Sequence, residues 1–166
     1  NYFDASTPEL FEHVLKVVVT QALNSTTAQI SLMTADGQPT ETDVPVTLYD
    51  QRTGKVIQHI MHTMNDRSVP DTLRIDPIYT YKVVAHTVPP SVRNDVVVKP
   101  GVHTVIAVDA GTGMLGINAG TGPSDGVLVQ VIVRRSGDGA TLIAQEAGTV
   151  QRLRTGTYDL EALTLP

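Results

Sequence analysis

The sequence predicts a mainly β chain: tandem antiparallel sandwich modules, of immunoglobulin-like or transthyretin-like kind, preceded by one amphipathic α-helix. Three observations predict it. Seven short runs between residues 27 and 109 alternate polar and apolar residues and are separated by Gly, Pro, Asn or Asp turns. A second, shorter round of the same pattern follows residue 110. The opening residues alone carry apolar side chains at helical spacing.

The helix comes first. Ser6-Thr7-Pro8-Glu9 offers a start in two registers, Ser6 with Glu9 as a capping box or Thr7 as cap with Pro8 at the first helical position. Leu10, Val14, Val17 and Val18 then form a stripe, widened by Phe11 and Leu15, and the helix is expected from about Pro8 to Leu23. Its β-branched run Val17-Val18-Val19-Thr20 lowers isolated helix propensity, so it needs a surface to pack on. Strands are expected over 28–34, 44–49, 55–63, 72–75, 80–86, 96–98 and 103–108, with Pro100-Gly101 suited to the centre of a type II turn. Further strands are expected at 114–118, 127–134, 140–145, 150–153 and 158–163.

The two rounds read as an internal repeat. Tyr81-Lys-Val-Val-Ala-His-Thr-Val-Pro89 aligns without gaps on Tyr158-Asp-Leu-Glu-Ala-Leu-Thr-Leu-Pro166, sharing Tyr, Ala, Thr and Pro. The organisation expected is therefore a helical segment (1–26), a first sandwich (27–109) and a second (110–166) two strands short of the first. A natural chain continuing past Pro166 is the expected explanation of that shortfall.

Composition narrows the function. Of 166 residues, 41% are hydrophobic and 17% charged, which argues against a disordered chain. A net charge of −5 argues against a nucleic-acid partner. No apolar run reaches the roughly 20 residues of a membrane-spanning helix. With no cysteine, disulfides, thiolate zinc sites and cysteine nucleophiles are excluded. Arg134, Arg135, Arg152 and Arg154 are the only cationic side chains of the second round and are expected to be solvated strand positions.

The residues that carry chemistry are sparse. His59 and His62 lie three apart on a strand, which sends their rings to opposite faces, while His86 and His103 sit on strands that a sandwich can bring together. A histidine-metal hydrolase would need three of these four to converge on one zinc ion. Asp66, Asp71, Asp109 and Asp138 lie in or beside Gly- and Asn-containing turns and are the candidate ligands of a calcium- or glycan-binding module. They lack the dense acidic spacing of a dedicated calcium loop, and Asp in such turns has a backbone role of its own. Gly111-Thr-Gly-Met-Leu-Gly116 matches a dinucleotide fingerprint but leads into a strand rather than a helix, so it reads as a linker. There is no Gly-x-Ser-x-Gly elbow, Asp159 and Glu161 share a strand face without a cleft, and Tyr79, Tyr81 and Tyr158 sit where a tyrosine corner needs them. No catalytic residue, cofactor or enzymatic activity is expected.

The opening Asn1-Tyr-Phe-Asp-Ala-Ser-Thr-Pro-Glu-Leu-Phe-Glu-His-Val-Leu resembles the closing segment of a von Willebrand factor type A domain. Gly54-Lys55, His86-Thr-Val-Pro-Pro90, Lys99-Pro-Gly-Val-His-Thr104 and Gly156-Thr-Tyr-Asp159 resemble the accessory β-sandwich modules that follow such a domain in bacterial envelope and secreted proteins. The resemblance implies a non-catalytic extracellular or cell-envelope scaffold that meets a protein partner or an envelope component. It also implies that the helix belongs to an upstream α/β domain, or docks on the first sandwich when that domain is missing. The Asp-x-Ser-x-Ser adhesion loop of the family does not occur here, so its metal site is expected upstream.

Overall fold

The structure, a computed structural model, describes residues 7–118 and 129–163. Its elements are α1 (Pro8–Ser25), β1 (Thr27–Met33), β2 (Val44–Asp50), β3 (Val56–His62), β4 (Thr72–Arg74), β5 (Thr80–Ala85), β6 (Ser91–Val97) and β7 (His103–Asp109), followed by β8 (Thr112–Gly116), β9 (Gln130–Arg135), β10 (Thr141–Glu146), β11 (Val150–Arg154) and β12 (Tyr158–Leu163).

Alternation builds the first sandwich. Along β1, Ala28, Ile30 and Leu32 are buried between half-exposed neighbours, so every second side chain faces inward. They meet Val46 and Leu48 of β2, Tyr81, Val83 and Ala85 of β5, and Ile106 and Val108 of β7 in one continuous core. One sheet has the order β4-β1-β7 and the other β3-β2-β5-β6. Pairing is antiparallel except for β1 and β7, which run parallel over all seven residues of each strand, from Thr27 opposite His103 to Met33 opposite Asp109. An immunoglobulin sandwich pairs its second strand with the first and fifth. Here β2 lies between β3 and β5, so of the two sandwich types expected, the immunoglobulin order is not adopted.

Two local expectations need correction. The strand expected at 96–98 begins at Ser91, because β6 is an edge strand whose first half buries only Ser91. Its ladder to β5 is interrupted between Tyr81 and Val83, and Asp95 stands there at a φ of 57°. The Gln51 side chain, hydrogen-bonded to the backbone and carboxylate of Asp95, holds this bulge. The helix, capped by Thr7 in the second of the two registers, does not dock on the sandwich. Leu10, Phe11, Leu15, Val18 and Val19 along α1 all remain 41–56% exposed. Among the described residues, no helix is long and apolar enough to cross a membrane.

The remaining strands repeat the first pattern. β11 pairs antiparallel with β8 as β4 does with β1, and the order β10-β9-β12 reproduces β3-β2-β5. The repeat extends to side chains. The Tyr81 hydroxyl donates to the Asp76 carbonyl at 2.7 Å and accepts from the Asp76 amide, while the Tyr158 hydroxyl donates to the Arg154 carbonyl. Both tyrosines pin the entry of their strand to the preceding corner, and burial pushes the Tyr81 phenol up to about 12. Among the described residues the second core consists of Val131, Val133 and Leu153, with Gln145 buried among the backbone carbonyls of Leu115 and Thr149.

Because Leu48 is 1% exposed at the centre of the first core, Leu48→Ala is expected to cost about 2–5 kcal/mol. Urea unfolding followed by tyrosine fluorescence checks this.

Candidate functional site

The joint between the two sets of sheets concentrates the charged and polar side chains that reach furthest along the chain. Only Ala110 and Gly111 separate β7 from β8. Neither is slack. The Ala110 amide donates to the Met33 carbonyl, extending the β1–β7 ladder by one step, and the Thr155 amide donates to the Gly111 carbonyl. The Arg154 amide donates to the Val88 carbonyl at 2.7 Å, tying β11 to the first sandwich. A Cβ on Gly111 would lie 2.5 Å from the Ala35 nitrogen, so only glycine fits where the two backbones touch.

Arginine side chains close the joint. Strand alternation turns Leu153 into the second core and sends Arg152 and Arg154 the other way, toward the first sandwich. Arg152 reaches the Glu41 carboxylate at 2.7 Å, the Thr112 hydroxyl at 2.8 Å and the Thr42 carbonyl at 3.0 Å. Glu41 is 9% exposed, and its other oxygen accepts from the Thr112 amide at 2.8 Å. Burial raises the Glu41 carboxyl, but the Thr112 amide, the Thr112 hydroxyl and the Arg152 guanidinium together outweigh it and hold the group below its ordinary value. Arg154 adds a more exposed pair with Asp109 at 2.9 Å. Arg152 keeps the exposure expected of it while pairing with Glu41, and the solvated reading is corrected for Arg154, which is half-buried. Arg-x-Arg on one face of a strand was the available signal, but nothing local marked Glu41, 111 residues away, as its partner. Arg134 pairs instead with Glu161 across β9 and β12.

The four candidate histidines divide among three places. His59 and His86 flank Thr47 on the outer face of the four-stranded sheet, each with a ring nitrogen 2.7 Å from its hydroxyl. A hydroxyl has one hydrogen to give, so at most one ring accepts from Thr47 and at least one donates to it. His62 faces inward as its odd spacing from His59 requires. Its Nε2 donates to the Ile30 carbonyl at 2.8 Å, and its buried Nδ1 has no partner, beside a cavity of about 160 Å³ lined by Ile30, Ile60 and Leu73. His103 lies on β7 against Thr27 and Gln29. The structure therefore joins His86 to His59, not to His103, and brings no three of the four together.

The aspartates are equally dispersed. Asp66 is exposed in the turn organised by the Asn65 side chain, and Asp71 accepts from the Thr63 hydroxyl. Asp109 serves the joint, and Asp138 accepts from the Ala140 amide in the β9–β10 turn. Among the described residues, no three His, Asp or Glu side chains gather closely enough to hold a metal ion. Of Gly111–Gly116 only Gly111 belongs to the connection; Thr112–Gly116 is strand β8 itself, so the segment is neither the expected linker nor a dinucleotide loop.

Gly111→Ala is expected to destabilise the fold by about 1–3 kcal/mol through overpacking. Gly113→Ala, whose Cβ would meet nothing within 4 Å, should cost much less; paired urea titrations compare them.

The Glu41 contribution also depends on pH. The folded protein holds this carboxylate ionised more tightly than the unfolded chain does. Its stabilisation is therefore complete above the ordinary value of 4.5 and disappears as pH falls through the lowered one. Asp36 and Asp50, held low chiefly by Thr34 and Thr53, act in the same direction. The difference between wild type and Glu41→Gln in melting temperature should therefore be largest near neutrality and shrink on acidification.

Compared with known proteins, the chain matches no family model, no curated protein and no solved structure.

Proposed function

We propose that this chain is a non-catalytic scaffold segment of an extracellular or cell-envelope protein of bacterial von Willebrand type A kind, holding two sandwich modules in one fixed relation for a protein partner. The observation that carries this reading is the joint. A two-residue connection, a glycine with no room for a side chain and a buried carboxylate clamped by Arg152 suit a spacer that transmits position. Such a spacer works by geometry and needs no reactive group. The exposed apolar stripe of α1 supports placing an upstream domain at that end, because a helix rich in β-branched residues gains its stability from packing.

The reading predicts that both modules tumble as one body. Amide 15N relaxation should give a single rotational correlation time for β1–β7 and β8–β12 in the wild type. In Arg152→Ala, which strands the Glu41 carboxylate without its cationic donor, the two sets should separate into distinct correlation times while each stays folded. Independent tumbling in the wild type would remove the basis for a rigid spacer.

A further inference from the structure

β3 and β4 each stand at the edge of their sheet, and residues 63–71 join them along one side of the first sandwich. β4 pairs with β1 only from Thr27 to Gln29, where the Gln29 side chain donates to the Pro70 carbonyl and the Thr72 hydroxyl. At the next residue of β1 the Ile30 carbonyl accepts from His62 Nε2 at 2.8 Å. Beside that bond lies the cavity of about 160 Å³, between β1, β3 and β4. Ile30, Ile60 and Leu73 give it apolar walls, and the exposed Met61, Thr63 and Asp71 form its mouth. His62, 3% exposed, brings a polar ring to the buried part of this lining.

The state of that ring selects a ligand. A carbonyl oxygen only accepts, so Nε2 carries the hydrogen, and in the neutral imidazole Nδ1 is then a bare acceptor. Among the described residues Nδ1 has no hydrogen-bond partner, and a buried acceptor left unmade is costly. Water meets this need poorly. A buried water takes about two to four polar partners, while Thr63 and Asp71 at the mouth already bond each other at 2.8 Å. The volume fits one six-membered ring, since an apolar cavity of roughly 150 Å³ takes up benzene. We infer that this cavity binds a small uncharged ring compound carrying one hydroxyl, of the phenol class. Its ring lies against Ile30, Ile60 and Leu73, and its hydroxyl donates to His62 Nδ1. A carboxylate is disfavoured twice, by meeting a bare acceptor and by passing Asp71, and an ammonium group would lose its hydration among apolar walls. None of the lining residues takes part in the joint, so the inference does not depend on the spacer reading.

Phenol, fluorobenzene and benzene share one ring, and only phenol carries a donor, so the three together test both halves of the inference. Titrated into the 15N-labelled chain, phenol should shift the amide resonances of Ile30, Ile60, His62 and Leu73 saturably. It should also move the His62 Nδ1 resonance, as that nitrogen begins to accept a hydrogen bond. Phenol should bind about 10-fold more tightly than fluorobenzene or benzene, the margin of one buried hydrogen bond. Leu73→Phe fills the cavity from a partly exposed position and should abolish phenol binding. The comparison of the three ligands uses the unsubstituted chain and decides the matter even where that variant does not fold. Equal affinities for phenol and fluorobenzene would overturn the inference. So would phenol shifts confined to residues outside the cavity, an unmoved Nδ1 resonance, or no saturable binding below denaturing concentrations.

Discussion

The parallel ladder between β1 and β7 is the constraint on which the rest of the molecule depends. It closes the three-stranded sheet and sets Ile106 and Val108 beside Ile30 and Leu32 on its inner face. It then carries the chain out of the first sandwich in a set direction through the Ala110–Met33 hydrogen bond. Since β8 begins two residues later, that direction already orients the second pair of sheets. Glu41 follows from the same geometry, because its amide donates to Leu32 on β1, which holds it beside the exit of β7. A carboxylate buried there without donors would be costly. Thr112 and Arg152 supply those donors from the second module, so the first sandwich has a polar group that the second one satisfies.

Much of the fold was legible because a strand with one buried face records its geometry as a period of two. Ala28, Ile30 and Leu32, or Val44, Val46 and Leu48, declare strand, face and core together. Tyr81 and Tyr158 marked the repeat, and the corner bonds explain why a tyrosine stands at each position. The first half of β6 was not legible, since an edge strand with a bulge at Asp95 buries too few side chains to alternate. Strand order was also hidden. Period two says which face is buried but not which strand lies alongside, and the β1–β7 pairing joins residues 76 apart.

The same distinction explains the candidate sites. Strand parity correctly placed His59 and His62 on opposite faces, because parity is local. That His86 would meet His59 through Thr47 required the β3-β2-β5 order, which no local pattern contains. The aspartates stand out in the sequence by their Gly- and Asn-containing surroundings, where the backbone itself needs a short polar side chain. Asp138 accepting from the Ala140 amide meets that need. Arg152 carries no local signal for the converse reason. A strand arginine is ordinarily solvated, and only the approach of Glu41 turns it into half of a partly buried pair.

The contrast between the copies separates what a strand sequence encodes from what its neighbours complete. β5 and β12 carry the same inward residue types at the same register, and each lies beside its own central strand, β2 or β9. Pairing therefore depends on backbone and turn chemistry shared by both. Burial depends on the facing sheet, and only β5 has β7 opposite it. Val83 at full burial and Leu160 at half are one position in two states of cover. Transferring an apolar side chain from water stabilises by about 25 cal/mol per Å² of surface removed, so the uncovered copy retains driving force that the covered one has already spent. Among the described residues, a second core of Val131, Val133 and Leu153 has its contact with the first sandwich made through Arg152 and Arg154.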